Sequence, residues 1–266
     1  MALQRPILNQ KLKSGSPAYG IFSGMPAPEV LELIGLAGWD FAIIDGEHSP
    51  VTAATLPALV RAASCAGLPP IVRVATNEPS AIQHALDCGA AGVQIPQISS
   101  LAQAKSAIDA ARFYPAGKRG FNPFVRAAAF STIPTADFVE SSNRDVTLIL
   151  QLESAEGVAA CEAILDLPGI DVVFVGPYDL SQSLGIPGQV DDPRVFEAGS
   201  LIVKAAEIRG IVAGVYCHTL QQVTRWRAAG ARYIVHSVDT IQLLATLRAT
   251  RQSLDALAKT AQSQPG

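Results

Sequence analysis

A regular alternation of short, apolar, β-rich runs with longer Ala- and Leu-rich stretches constrains the fold of this chain more than any other feature. Runs such as VVFV (172–175) and TLILQL (147–152) are almost entirely apolar, which is typical of parallel strands buried on both faces. Eight such strands, each followed by a helix at spacings of roughly 25–30 residues, predict a closed (β/α)8 TIM barrel of the α/β class.

The predicted strands and helices alternate along the sequence. The strands are rich in Val, Ile, Phe and Tyr, and we predict them at 18–22, 41–44, 71–74, 92–95, 147–152, 172–175, 211–215 and 233–236. The helices have apolar residues at helical spacing and several end at a glycine. We predict them at 28–37, 54–66, 79–86, 101–111, 155–165, 195–209, 220–229 and 240–257.

Length and composition fit one domain. A chain of 266 residues that is 49% hydrophobic and 16% charged has enough apolar material for one large core. TIM barrels commonly run to about 250 residues as a single domain, so we assign residues 1–266 to one domain. One interval, at about 113–145, interrupts the alternation and predicts an extended, lid-like loop with short helices.

Charge and hydropathy exclude several classes of function. The net charge is −3 and the Lys and Arg residues are scattered, whereas a nucleic-acid-binding protein needs a basic face. The N-terminal sequence is too polar for a signal peptide and the apolar runs are too short to span a membrane, so we expect a cytoplasmic protein without a membrane partner. The four cysteines form no CxxC pair and are predicted to be reduced residues of the core.

Polar residues concentrate at the C-terminal ends of the predicted strands, where TIM barrels carry their active sites. In chain order they are Asp45, Glu47 and His48 after strand 2, Arg73 in strand 3, Gln97 after strand 4, Gln151 and Glu153 at strand 5, residues 176–179 after strand 6, and residues 216–218 at strand 7. The convergence of Arg, His and several carboxylates on one rim indicates a functional site.

Glu153 and Asp179 are the candidate metal ligands. Both are carboxylates at adjacent strand ends, and oxygen ligands of this kind suit magnesium or manganese. The alternative is that they cap helices, which fits Asp179 before LSQSLG better than Glu153 late in an apolar strand. Zinc is disfavoured because no His or Cys pair has ligand spacing.

His48 and Arg73 are the candidate catalytic side chains. An imidazole titrates near neutral pH and suits a general base, although a lone histidine is often structural. An arginine inside the run PIVRV must point into the barrel mouth or be paired. Its partner would be Asp45 or an anionic substrate.

Lysine and phosphate-binding motifs are missing from the predicted rim. A Schiff-base aldolase needs a lysine in its site, and none of the six lysines falls at a strand end. They are Lys11, Lys13, Lys105, Lys118, Lys204 and Lys259. No Gly-rich phosphate loop follows strands 7 or 8, so a phosphorylated substrate and a nucleotide cofactor are both disfavoured.

Six segments, spread between about residues 12 and 247, carry a family resemblance. They are IIDGEHSP (43–50), PIVRVATNEP (70–79), LDCGAAGVQIPQ (86–97), RFYPAGKRG (112–120), LILQLESAEGV (148–158) and VFVGPYDLSQSLG (173–185). In this order they resemble the HpcH/HpaI family of metal-dependent, class II pyruvate aldolases, of the 4-hydroxy-2-oxoheptanedioate aldolase and 2-dehydro-3-deoxyglucarate aldolase type.

The resemblance implies a reaction and a set of ligands. The enolate of pyruvate would join an aldehyde reversibly to give a 4-hydroxy-2-oxo acid, with magnesium, manganese or cobalt as the metal. Glu153 and Asp179 would bind that metal, Arg73 would stabilise the enolate oxygen, and Gln151 would hold the substrate or the water around the metal.

The resemblance also implies a base and a substrate cradle. His48 would act as base or relay, supported by Asp87 of a neighbouring subunit. Asp45 and Glu47 would support the residues that contact metal and substrate. The pyruvate carboxylate would be received by the backbone at Gly176, Pro177, Tyr178 and Asp179.

Assembly and acceptor follow from the same resemblance. Members form homotrimers or homohexamers that exchange or pack their last helix at the interface, and the segment 240–257 suits that role or packing on its own barrel. Two departures, Tyr178 and the sequence Phe121-Asn122-Pro123, fall where the resemblance places aldehyde entry. With Arg119 and Arg126 close by in sequence, both an acidic aldehyde and a plain hydroxyaldehyde remain open.

Three alternatives share part of this pattern. A citryl- or malyl-CoA-type lyase has related metal chemistry but usually carries further basic residues for the nucleotide. A macrophomate-synthase-like oxaloacetate decarboxylase would use the same metal and enolate. A non-catalytic pyruvate- or metal-binding protein would be expected to have lost a ligand or the base, whereas Glu153, Asp179, Arg73 and His48 are all present.

Overall fold

The computed structural model describes residues 6–262 and contains eight parallel strands closed into one barrel. The strands are β1 (Ala18–Ser23), β2 (Phe41–Asp45), β3 (Pro70–Arg73), β4 (Gly92–Ile95), β5 (Thr147–Leu152), β6 (Val172–Val175), β7 (Val212–Cys217) and β8 (Tyr233–Val238). They pair in sequence order, and β8 pairs with β1 to close the ring. The predicted (β/α)8 fold is confirmed. The first five and last four residues of the predicted domain 1–266 lie outside the described residues.

Helices follow the strands around the outside of the barrel. They are α1 (Pro6–Lys13), α2 (Pro28–Leu36), α3 (Leu56–Cys65), α4 (Pro79–Asp87), α5 (Leu101–Ala111), α6 (Thr135–Asp145), α7 (Ala155–Ala159), α8 (Cys161–Leu165), α9 (Pro177–Ser183), α10 (Pro193–Ile208), α11 (Leu220–Ala228) and α12 (Asp239–Gln262). The helix predicted at 155–165 is two short helices, and α1 and α9 were not predicted. Gly67 and Gly230 follow α3 and α11 with positive φ, as helix-terminating glycines do.

Large side chains fill the inside of the barrel. The rings of Phe41 and Tyr233 stack with their centroids 4.2 Å apart. Gly20 makes room for them, because a Cβ there would lie 2.1 Å from the Phe41 ring. Each fully buried side chain of this size contributes roughly 1.5–3 kcal/mol to stability.

Helix α1 covers the end of the barrel at which the strands begin. Its Leu8 and Leu12 are buried in the same cluster as the interior rings. The side chain of Asn9 accepts a hydrogen bond of 2.7 Å from the Thr147 hydroxyl, at the first residue of β5. The open end is therefore the opposite one, where the strands terminate.

The segment 113–145 does not form the lid that its length predicts. It contains a 3-10 helix (Arg126–Ala128) and α6, as expected for an extended loop with short helices. However, it joins the end of α5 to the start of β5, and Asn9 of α1 donates a hydrogen bond to the carbonyl of Asp145 at its end. Since connections from helix to strand lie at the N-terminal face of a TIM barrel, this loop is remote from the open end of its own barrel.

Helix α12 projects from the barrel. Its first residue, Asp239, is buried and accepts hydrogen bonds from the Ser23 hydroxyl and the Met25 amide at 3.0 and 3.1 Å. All side chains of residues 240–257 are exposed, so the helix does not pack on its own barrel. Within residues 6–262, no helix is both long enough and apolar enough to cross a membrane. The four cysteines are free as predicted, but Cys65 is exposed rather than in the core.

Candidate active site

The C-terminal ends of the strands surround a cavity of about 430 Å³. Its lining brings together polar residues that are far apart in sequence with a group of aromatic and apolar ones. The lining residues are Phe22, Asp45, His48, Arg73, Gln151, Glu153, Phe174, Gly176, Pro177, Tyr178, Asp179, Tyr216 and Val238. Apart from Glu47 and Asp87, every residue to which a catalytic, metal-binding, substrate-binding or supporting role was predicted lines this cavity. Of the other residues expected at the rim, Tyr216 lines it, whereas Gln97, Cys217 and His218 do not.

A tight turn after β2 presents Asp45 and His48. The Asp45 carboxylate accepts backbone hydrogen bonds from Glu47 and His48 at 3.0 and 3.3 Å, an arrangement that favours Asp at the start of a turn. Gly46 allows the turn to approach β3, because a Cβ there would lie 2.7 Å from the Arg73 carbonyl oxygen. The His48 side chain is exposed at the rim of the cavity.

Arg73 is held in place by two carboxylates and an aromatic ring. Its Nε and Nη2 donate to the two oxygens of Asp45 at 2.9 and 2.8 Å. Its Nη1 lies 3.0 Å from Glu47 Oε2, and its guanidinium carbon lies 4.5 Å from the centre of the Phe22 ring. Although burial alone would raise the pKa of Asp45, the hydrogen bonds and charge of Arg73 hold that pKa below its usual value. The guanidinium is therefore fixed with its remaining N–H groups available to the cavity.

Glu47 connects Arg73 to two other polar groups. Its Oε1 accepts a hydrogen bond of 3.1 Å from Gln97, and its Oε2 lies 3.7 Å from His48 Nε2. The contact of Oε2 with Arg73 lacks hydrogen-bond geometry, which leaves this buried oxygen with an ionic partner only. Burial raises the pKa of Glu47, against the charges of Arg73 and His48.

Glu153 is buried and receives hydrogen bonds on both carboxylate oxygens. The backbone N–H of Gln97 donates to Oε1 at 2.9 Å, and the Gln151 side chain donates to Oε2. Gln151 in turn accepts a hydrogen bond from Gln94, which is completely buried inside the barrel. This chain of amides fixes the orientation of the Glu153 carboxylate.

Glu153, Asp179 and Gly176 form the part of the cavity that fits a cation. A Cβ at Gly176 would lie 2.3 Å from Glu153 Oε2, so only glycine leaves this oxygen open to the cavity. Burial raises the pKa of Glu153 to about 7, and the nearby charges of Asp179 and Glu47 also raise it. Carboxylates held together at such a cost are typical of a cation site. Within residues 6–262 no three His, Cys, Asp or Glu side chains cluster as ligands, so two carboxylates would leave positions open for water and substrate.

Part of the cavity lining is aromatic. The rings of Phe22 and Tyr216 lie 6.0 Å apart, and those of Tyr216 and Tyr178 lie 5.9 Å apart. Burial, and secondarily the neighbouring Tyr178, raises the pKa of Tyr216 to about 12. The Tyr216 phenol therefore stays neutral at physiological pH.

Asp87 lies away from the cavity of its own chain. It ends α4 and accepts a hydrogen bond of 2.6 Å from Arg119, whose side chain is buried. Arg126 donates to the Cys88 carbonyl at 3.1 Å in the same region. Neither arginine lines the cavity. Their position is a consequence of the helix-to-strand loop, which runs at the opposite end of the barrel.

None of the lysines whose side chains the structure describes lines the cavity. Lys11 and Lys118 are paired with Asp40 and Asp109 at the protein surface. The side chain of Lys259 lies outside the described part of the chain.

Gln94 and Phe22 were not predicted for the site, and Gln97 and Tyr216 were expected at the rim without a specific role. A signal for Gln94 was present, since a polar residue inside the run GVQI resembles Arg73 inside PIVR. Arg73 and Gln94 are in fact paired in register on β3 and β4. The role of Gln97 depends on its backbone, which adopts a positive φ of 57° and aims its N–H at Glu153. Such a conformation is uncommon for a residue other than glycine and was not readable from the sequence.

Comparison with protein families gives one match across most of the chain. Residues 18–245 match the HpcH/HpaI aldolase/citrate lyase family. The matched region contains every residue assigned to the cavity above.

Individual relatives agree with this match. A hydroxypyruvate/pyruvate aldolase of Paraburkholderia phytofirmans is 35% identical over 93% of this chain and 95% of its own length. A 5-keto-4-deoxy-D-glucarate aldolase of Salmonella paratyphi A is 34% identical over 88% of this chain and 90% of its own. The crystal structure of an HpcH/HpaI aldolase/citrate lyase family protein from Burkholderia cenocepacia J2315 superposes with a TM-score of 0.87 at 36% identity, covering 94% of this chain and 98% of that one.

Proposed function

The chain belongs to the HpcH/HpaI aldolase/citrate lyase family, and from this premise we propose that it is a class II pyruvate aldolase. It would join the enolate of pyruvate reversibly to an aldehyde, giving a 4-hydroxy-2-oxo acid. The observation that carries the proposal is the convergence of Glu153, Asp179, Arg73 and His48 on one cavity of small-molecule size.

Glu153 and Asp179 are the residues that would hold a divalent cation. Magnesium, manganese and cobalt all accept carboxylate oxygens and leave positions for water and substrate. When bound, such a cation would supply Lewis-acid polarisation of the pyruvate keto oxygen. The open face of Glu153 beside Gly176 supports this assignment.

Arg73 would bind and stabilise the oxygen on which negative charge develops. Its guanidinium is fixed by Asp45 and Glu47 before substrate arrives, so little reorganisation is needed. Gln151 would hold the substrate or ordered water while it orients Glu153. The backbone at the start of α9, from Gly176 onward, would receive the pyruvate carboxylate.

His48 would take the proton from the pyruvate methyl group and, in the cleavage direction, from the product hydroxyl. Its exposed position at the rim leaves the imidazole free to reach substrate directly or through water. Within one chain, Glu47 Oε2 lies 3.7 Å from His48 Nε2.

We propose further that Asp87 supports His48 of a neighbouring subunit. Within one chain Asp87 does not line the cavity, so the pairing requires assembly. The hydrogen bond from Arg119 keeps the Asp87 carboxylate oriented. The alternative is that Asp87 serves only this local ion pair.

The exposed α12 supports a homotrimer or homohexamer with an exchanged or packed last helix. Leu243, Leu247, Leu254 and Leu257 recur at heptad-like spacing along it, and each is about half exposed or more. A helix of 24 residues with such a stripe needs a second surface to cover it. We propose that a second copy of this chain provides that surface. A cytoplasmic location stays a prediction.

The proposal is tested by supplying metal-reconstituted protein with pyruvate and a panel of aldehydes. Formation of 4-hydroxy-2-oxo acids is expected, and Glu153→Ala or Asp179→Ala should abolish both activity and metal retention in a folded barrel. Oxaloacetate without an aldehyde is the comparison that identifies a decarboxylase. Decarboxylation with no aldol product would contradict the aldolase assignment in favour of the macrophomate-synthase-like alternative.

A further inference from the structure

The proposed function uses only one side of the cavity. The proposed metal ligands Glu153 and Asp179, together with Arg73 and His48, form its charged side, where pyruvate would bind. The other side is formed by Phe22, Phe174, Pro177, Tyr178, Tyr216 and Val238. In the proposed reaction of pyruvate, these side chains have no role, and only the backbone at the start of α9 takes part. This second side is where an acceptor must lie.

Three rings form a continuous surface from the charged end of the cavity to its mouth, here called the aromatic wall (Phe22, Tyr216 and Tyr178). Phe22 is buried and carries the Arg73 guanidinium on its face at 4.5 Å. Tyr216 follows at 6.0 Å, and Tyr178 follows at 5.9 Å with 45% of its surface exposed. A molecule that extends outward from Arg73 would therefore contact the faces and edges of these rings.

Within one chain, the described lining of the cavity offers no unpaired arginine or lysine to a negatively charged tail. Arg73 is the sole arginine or lysine among those residues, and its charge is matched by Asp45 and Glu47. The charges of Glu153 and Asp179 would be balanced by the divalent cation that the proposed function assigns to them. His48 lies at the exposed rim, where water screens its charge. A second carboxylate on the acceptor would thus enter an apolar surrounding without a fixed counterion.

We propose that the acceptor aldehyde carries an uncharged, apolar or aromatic tail that packs on the aromatic wall, an inference that rests on the proposed pyruvate aldolase function. The methyl carbon of pyruvate loses a proton to the base and forms a bond to the aldehyde carbon. The aldehyde oxygen takes up a proton and becomes the 4-hydroxyl group. The addition is balanced without an oxidant or reductant, and the tail takes no part in it.

Matched aldehyde pairs test the proposal directly. 4-Methylbenzaldehyde against 4-carboxybenzaldehyde, and pentanal against 5-oxopentanoate, differ by a terminal methyl group in place of a carboxylate at similar length. With the metal-loaded full-length enzyme, we expect kcat/KM to be about tenfold or more higher for the uncharged member of each pair. Equal values, or a preference for the carboxylated member, would overturn the inference.

Variants identify the wall as the source of the preference. Tyr178→Ala should reduce the ratio of kcat/KM within each pair several-fold, because the uncharged tail loses its packing partner while the charged tail loses little. A role confined to holding the fold would lower both members equally and leave the ratio unchanged, which would refute the assignment to the wall. Tyr114→Ala is the matched control: this tyrosine is 84% exposed, lies outside the cavity and should keep the wild-type ratio.

Exchange of pyruvate methyl protons with deuterated water separates this inference from the function on which it rests. The exchange reports enolisation and needs no aldehyde. Exchange together with a preference for carboxylated aldehydes refutes the apolar acceptor alone. A wild-type enzyme that shows no exchange overturns the aldolase function and, with it, this inference.

Discussion

Gly176→Ala probes the cation site through a single methyl group. The backbone of Gly176, with φ −96° and ψ 92°, is accessible to alanine, so the substitution adds no backbone strain of its own. The new Cβ would lie 2.3 Å from Glu153 Oε2 and 3.0 Å from Glu153 Cβ, whereas ordinary contacts begin at 3.4 Å. The Glu153 carboxylate must therefore move by about 1 Å, more than the roughly 0.5 Å within which functional groups have to be held.

The substitution is expected to lower both function and stability. A displacement of about 1 Å in a positioned group costs on the order of 100-fold in rate, and overpacking of this kind costs about 1–3 kcal/mol of folding stability. Calorimetric titration with manganese and the pyruvate exchange rate are the assays, with Gly24→Ala as control. A Cβ at Gly24, on the same rim, would lie 3.6 Å from its nearest neighbour. Gly24→Ala should therefore change neither the manganese affinity nor the exchange rate. Wild-type manganese affinity and exchange in Gly176→Ala would refute the assignment of Glu153 as a ligand.

Five further predictions test the charge, the chemistry and the assembly. Arg73→Ala should weaken pyruvate binding and slow enolisation. It should also lower the free energy of unfolding by about 3–5 kcal/mol, because it leaves buried carboxylates unpaired. His48→Ala should retain pyruvate affinity and lose turnover, and exchange of pyruvate methyl protons at the wild-type rate in this variant would exclude His48 as the enolisation base. Borohydride with pyruvate should leave the protein mass unchanged, and an inactivating lysine adduct would exclude class II chemistry. Leu247→Asp should shift the molar mass measured by light scattering toward that of the monomer, whereas Gln252→Asp should not. A mixture of the inactive His48→Ala and Asp87→Ala proteins should regain activity after subunit exchange. A fully active monomer would contradict the shared site.

The sequence was sufficient for the barrel because its signal is repeated eight times. Each strand is a short apolar run, and β4, β5 and β6 begin and end where the pattern predicts. Helix α1 was missed because it is short and half of its residues are polar. Its importance comes from Leu8 and Leu12, which are buried only because they meet the interior of a barrel formed by distant residues.

The polar rim was also readable from the sequence, since strand ends converge in any closed parallel barrel. What the sequence could not provide was contact between distant side chains, such as Gln97 with both Glu47 and Glu153. Loop placement was a second limit. Arg119 and Arg126 were expected near aldehyde entry, yet topology puts them beside α4 at the other end of the chain's own barrel.

Metal-dependent exchange of pyruvate methyl protons tests the central claim most directly. Protein treated exhaustively with EDTA should lose the exchange measured by proton NMR in deuterated water, and magnesium, manganese or cobalt should restore it in the wild type but not in Asp179→Ala. Full exchange after exhaustive chelation would contradict a catalytic site built on Glu153 and Asp179.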